Sequence, residues 1–104
     1  MNKQDISDLR SLKLHKAIAK KLRDNNQLWD MPLMNIEKWK DNHSNLPYAL
    51  AEWKQIILSH SKEAIFQILE GTSQRSKQLR SSSPFTGILS EKERIGIFNR
   101  IIPE

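Results

Sequence analysis

The 104-residue chain contains no cysteine and no valine, only two threonines (Thr72 and Thr86) and only three glycines (Gly71, Gly87 and Gly96). Without cysteine there are no disulfides and no thiolate metal sites. Strands favour β-branched residues, so the missing valine and scarce threonine argue against a sheet. Long apolar runs are also missing. Stretches such as Ile56-Ile57-Leu58 fall far short of a membrane span. No secretory leader is expected, because Met1 to Arg10 has no hydrophobic region. The P-loop, the dinucleotide-binding glycine pattern, H-E-x-x-H and G-x-S-x-G are all absent.

What is present is helix-forming and basic. Lys and Arg number 17 against 12 Asp and Glu, a net charge of +5. Such a balance suits a nucleic acid, an acidic protein or a surface kept soluble by charge. Apolar residues recur at spacings of three and four, the helical period. The expected fold is all-α, a compact single domain of five to six short helices. Residues 1–8 are read as an N-terminal tail and 9–104 as the domain.

The first helix is expected over Leu9 to Arg23. Leu12, Leu14, Ile18, Ala19 and Leu22 share one side of it. Arg10, Lys13, Lys16, Lys20, Lys21 and Arg23 share the other, with no acid among them. Asp24-Asn25-Asn26 breaks it. A second helix ends near Asp41, starting either at Asn25 with a kink at Pro32 or at Asp30 with Pro32 in its first turn. Its inner stripe is Leu33, Ile36 and Trp39. His43-Ser44-Asn45 reads as a turn. Helix three follows Pro47, with Leu50, Trp53, Ile56 and Ile57 inward. A fourth helix covers Lys62 to Glu70, with Gly71 as a left-handed C-terminal cap. Thr72 is expected to cap a fifth through Arg80. Ser81 to Gly87 forms a loop. Ser90-Glu91-Lys92-Glu93 is a capping box for a sixth helix, which buries Ile97, Phe98, Ile101 and Ile102 and stops at Pro103.

Candidate chemistry is sparse. His15, His43 and His60 lie far apart, and none has a metal-ligand partner at helical spacing, so no metal or cofactor is expected. Ser83, His15 and an acid can be assembled into a triad on paper, yet any small protein offers such triples. The chain is therefore expected not to be an enzyme. His15 falls within the apolar arc of the first helix, where it is either a core histidine with a hydrogen-bond partner or a ligand-facing one. Arg94 falls among Ile97, Phe98 and Ile101, where it needs an internal partner or an interface. Lys13, Lys16, Lys20, Lys21 and Arg23 are the candidate nucleic-acid contacts. No aromatic interleaves with them to stack bases, and no helix-turn-helix pattern accompanies them.

Two stretches carry a resemblance. One is Ser11-Leu12-Lys13-Leu14-His15-Lys16-Ala17-Ile18-Ala19, and the other is Leu79 to Arg94, containing Ser83-Pro84-Phe85-Thr86-Gly87-Ile88-Leu89-Ser90-Glu91-Lys92-Glu93-Arg94. Ile36-Glu37-Lys38-Trp39 and Leu50-Ala51-Glu52-Trp53 lie between them. Over about Ser11 to Arg100 the chain resembles a family of small bacterial helical proteins and C-terminal domains. Members carry an L-H-basic-A-I helix and an S-P-F-x-G-x-L-S-x-x-E-R segment, and sit beside nucleotidyltransferase-like genes in toxin–antitoxin-type operons. Longer members have an N-terminal DNA-binding domain that these 104 residues do not include. The resemblance implies a cytoplasmic antitoxin-like protein that binds and restrains a toxin enzyme. Arg75, Arg80, Ser83, Pro84, Phe85 and Arg94 are then the candidate partner contacts; the other reading of the loop folds Phe85 inward to plug the gap between helices, with Arg80 and Arg94 securing it through carbonyls or carboxylates. A small basic nucleic-acid-binding module is the alternative.

Overall fold

The computed structural model of the protein describes residues 3–42 and 47–101. Among them are six α-helices and no strand: α1 (Lys3–Asp24), α2 (Asp30–Asn42), α3 (Tyr48–Ser59), α4 (Lys62–Glu70), α5 (Gln74–Arg80) and α6 (Glu91–Ile101). The chain is all-α. No helix of the described residues is long and apolar enough to cross a membrane.

α1 begins at Lys3, six residues before the expected start, so most of the presumed tail is helix. Residues 3–8 contain no glycine or proline to stop it, and Asp5 in the first turn complements the helix dipole. A short 3-10 turn over Asn26–Trp29 then separates α1 from α2, capped by the Asn25 side chain, which accepts from the Gln27 N–H. α2 thus starts at Asp30, with Pro32 in its first turn. Pro32 is fully buried there.

α1 is the central strut. α4, α5 and α6 pack along it, while α2 leans on α3 and the 3-10 turn. Ile18, Ala19 and Leu22 of α1 meet Ile65, Phe66 and Leu69 of α4 in the core. Trp53 and Ile56 extend that core toward α5. The loop 81–90 completes it. Pro84, Phe85, Ile88 and Leu89 are all buried, although the serines before them suggest a solvated turn.

Two expected caps differ from those observed. Gly71 has φ −78° and ψ 161°, an extended conformation and not a left-handed one. What glycine supplies there is space, since a Cβ would come within 2.4 Å of the Gln67 carbonyl oxygen and 2.7 Å of Ser76 Oγ. α5 is capped by Ser73, not Thr72, and the Ser73 hydroxyl accepts from the Ser76 N–H at 3.0 Å. The capping box at α6 forms as expected: Ser90 N–H donates to Glu93 Oε1 at 2.9 Å, and Glu93 N–H to Ser90 Oγ at 3.1 Å. Gly87, at φ 95°, is the one described residue in the left-handed region, which lets the chain turn into α6. The turn His43-Ser44-Asn45, the inward faces expected for Ile101 and Ile102, and the stop at Pro103 lie outside what the structure describes.

Candidate binding surfaces

The S-P-F-x-G loop is fastened from three directions. Asn35 on α2 donates from its amide to the carbonyls of Pro84 and Thr86, both at 2.8 Å. Phe85 packs edge-on against Trp53, with ring centroids 5.3 Å apart. Lys21 on α1 donates to the Ile88 carbonyl at 3.2 Å and pairs with Glu93 at 2.5 Å. The Lys21 ammonium, then the Ser90 N–H, hold the Glu93 carboxyl well below the usual carboxylate range. A loop held in this way is rigid before any partner arrives.

Of the six proposed partner contacts, Arg80, Pro84 and Phe85 are buried. They support the surface from beneath and do not form it. Arg80 donates to the Ile68 and Gly71 carbonyls at 2.9 and 2.5 Å. Ser83 is half-buried and accepts the Phe85 N–H at 3.3 Å. Arg75 is exposed and paired with Glu52 across α5 and α3. Arg94 is exposed, contrary to its expected place inside the apolar stripe of α6. The helix turns Ile97 and Gly96 toward α1, which leaves Arg94 at the edge of that contact.

The basic face of α1 divides in two. Lys13, Lys16 and Lys20 are exposed and make no ion pair among the described residues. Lys21 is tied to Glu93, and Arg23 forms a two-pronged pair with Glu70 at 2.5 and 3.1 Å while stacking over Phe66 at 4.1 Å. Two of the five candidate cations therefore join helices instead of facing a ligand.

Two clefts flank the loop. The first, about 370 Å³, lies between α2, α3 and the loop. Ile36, Trp39, Pro47, Leu50 and Pro84 give it apolar walls. Trp39 is 42% exposed, a departure from its expected core position. The reason is that α2 is covered on one side, by α3, the 3-10 turn and the loop, so Ile36 reaches the core while the last turns of the helix face the groove. Tyr48, 81% exposed, stands between two groove residues, Pro47 and Ala49. Sequence periodicity placed Trp39 in the core and gave no role to Tyr48. Their exposure follows from which helices touch, which a single helix pattern does not record.

The second cleft, about 190 Å³, lies between α1, the loop and α6. His15 and Ser83 both line it. They do not form the triad drawn from the sequence. His15 Nδ1–H donates to the Ser11 carbonyl at 2.7 Å, and no carboxylate lines the cleft. No group of three or more His, Asp or Glu among the described residues is placed to hold a metal ion.

Burial lowers the His15 pKa from 6.5 to about 4, with the bond to Ser11 opposing this and the charge of Arg80 adding to it. The unfolded chain therefore takes up this proton first. The contribution of neutral His15 is complete above the unfolded pKa and is lost as pH falls toward the folded one. Between pH 7 and about 5 the protein is expected to lose about 2 kcal/mol from this group, read as a falling urea midpoint. A His15→Gln variant should flatten that slope. An unchanged slope would assign the acid sensitivity to other groups.

No family model, curated protein or solved structure matches the chain.

Proposed function

We propose that the chain is an antitoxin-like, non-enzymatic protein that binds and restrains a toxin enzyme of nucleotidyltransferase-like character. The observation that carries this reading is the apolar groove lined by the exposed Trp39, with the exposed Tyr48 on an adjoining recess that shares Ala49, Ser81 and Ser82 with it. Aromatic side chains around a recess are the commonest anchors of protein interfaces. The groove also borders the S-P-F-x-G segment on which the family resemblance rests. Asn35 and Phe85 fix that border in advance, which reduces the ordering cost of association.

The test is co-expression with the product of the neighbouring gene, which this reading expects to be a nucleotidyltransferase-like enzyme. The wild-type chain should relieve growth arrest and co-purify with that enzyme. Trp39→Ala with Tyr48→Ala should weaken the complex about thirtyfold, roughly 2 kcal/mol, with the melting temperature unchanged. Relief of toxicity by the double variant at wild-type affinity would exclude the groove.

Lys13, Lys16 and Lys20 support a second reading, contact with nucleic acid, because they remain exposed in a row on α1. Three phosphate contacts imply a log–log salt slope near −3 on duplex DNA. Changing all three lysines to glutamate should abolish retention at low salt and leave helix content intact. Equal retention of DNA and RNA by the triple variant would eliminate this face.

A further inference from the structure

The cleft between α1, the loop and α6 holds chemistry that neither the aromatic groove nor the lysine row uses. Leu14, Ile18, Phe85 and Leu89 give it an apolar lining. His15, Ser83 and Arg94 give it three polar groups. Each of the three has unused capacity. His15 is only 6% exposed and its Nδ1–H is engaged with the Ser11 carbonyl, so Nε2 carries a lone pair. That nitrogen is buried with no hydrogen-bond partner. An unsatisfied buried acceptor is costly, and a ligand that donates to it recovers that cost. Ser83 Oγ accepts from the Phe85 N–H, and its own hydrogen has no acceptor among the described residues. Arg94 is exposed at the rim, and its guanidinium makes no ion pair among the described residues.

The set is thus one buried acceptor, one neutral donor and one cation around an apolar recess. A matching ligand donates one hydrogen bond, carries a negative charge close by and has an apolar body. Phosphate monoester dianions turn only lone pairs toward Nε2, which already carries one, and inorganic phosphate, which keeps an O–H to donate, has no apolar body to fill the recess. An amino terminus places an ammonium beside Arg94, and Arg80 adds a second positive charge near His15. An internal peptide segment has the N–H, but where Asp or Glu supplies a carboxylate it takes the place of an apolar side chain. A polypeptide C-terminus has the N–H, the carboxylate and an apolar side chain within one residue.

We propose that this cleft binds the C-terminal residue of a polypeptide that ends in an apolar side chain. The backbone N–H of that residue donates to His15 Nε2. Its terminal carboxylate accepts from the Ser83 hydroxyl and from Arg94. Its side chain lies against Leu14, Ile18 and Leu89. The site is across the loop from the aromatic groove and does not rest on the docking reading.

The test is a nuclear magnetic resonance titration of the full chain with N-acetyl-leucine. Saturable shifts are expected at the His15 ring, Ser83 and Arg94, with the His15 Nε2 resonance moving as it does when that nitrogen accepts a hydrogen bond. N-acetyl-leucinamide, which lacks the charge, should bind about tenfold more weakly. So should the ester analogue in which oxygen replaces the N–H, because it cannot donate to His15. Arg94→Ala, a surface change, should cost a similar factor without altering the melting temperature. Acetyl-alanyl-alanyl-leucine should bind at least as well as acetyl-leucine. Failure of the tripeptide alone would overturn the polypeptide assignment in favour of a small acid. Inorganic phosphate binding as tightly as acetyl-leucine would overturn it in favour of a simple anion site. No saturable shift with any of these probes would overturn the site itself. Trp39→Ala with Tyr48→Ala should leave every one of these affinities unchanged, so a failed groove and a failed cleft are told apart.

Discussion

Trp53→Ala is expected to lower stability by about 3–5 kcal/mol. The ring is wholly buried and ties α3 to both α5 and the loop. From α3 it sends its Nε1–H to the Leu79 carbonyl of α5 at 2.7 Å, and it supports Phe85 of the loop edge-on. Removing it opens a cavity bounded by α3, α5 and the loop. It also takes the indole donor from the Leu79 carbonyl, which keeps the Ser82 N–H at 3.2 Å. Trp53→Phe separates the two losses. It retains most of the volume and gives up the hydrogen bond, so about 1–2 kcal/mol is expected. For a chain of this size, 1 kcal/mol corresponds to about 4–8 °C in melting temperature. Equal midpoints for wild type and Trp53→Ala in urea would show that the ring is not in the core.

The same residue shows what could be read from the sequence. Trp53 lies at helical spacing with Leu50, Ile56 and Ile57, and that periodicity alone marks it as inward. The capping box at Ser90 and the start of α4 after Ser61 were legible for a similar reason, since their partners lie within three residues. The Ser61 hydroxyl accepts the Ala64 N–H at 3.1 Å. Trp39 was misplaced because its stripe was counted correctly but α2 has too few neighbours to cover all of it. Arg94 was misplaced because its wheel position falls inside the apolar stripe, and only the way α6 meets α1 decides which part of that stripe is covered. The loop was half legible. Its serines read as solvent-facing and an inward Phe85 was one of its two readings, and the clamp from Asn35, about fifty positions away, turns Pro84 and Phe85 inward. No local pattern encodes a bond of that range. The second cleft was half legible. His15 and Ser83 were both singled out, but their shared cleft with Arg94 exists only once α1, the loop and α6 are assembled.

Arg80→Ala is expected to destabilise the protein by about 3–5 kcal/mol, close to the effect of losing Trp53. Arg80 is 3% exposed, and its Nη1 donates to the carbonyls of Ile68, Leu69 and Gly71 at 2.9, 3.4 and 2.5 Å. These carbonyls lie at the C-terminal end of α4, where a helix has no intrahelical donors left. A cation there also meets the negative end of the helix dipole. Gly71 is extended and does not close the helix itself, so the guanidinium supplies the cap that a left-handed glycine would have given. Alanine leaves buried carbonyls without that donor and a void between α1, α4 and α5. Arg80→Lys keeps the charge but lacks the planar fork, so an intermediate loss is expected. The charge of Arg80 also adds to the burial that keeps His15 neutral. In Arg80→Gln the His15 pKa should therefore rise from about 4 and still stay below 6.5, because burial is the larger cause. The binding forecast is the discriminating one. A buried helix cap does not touch a partner, so affinity for the toxin enzyme, corrected for the folded fraction, should match wild type. Lost affinity in a variant with an unchanged melting temperature would instead place Arg80 at the interface.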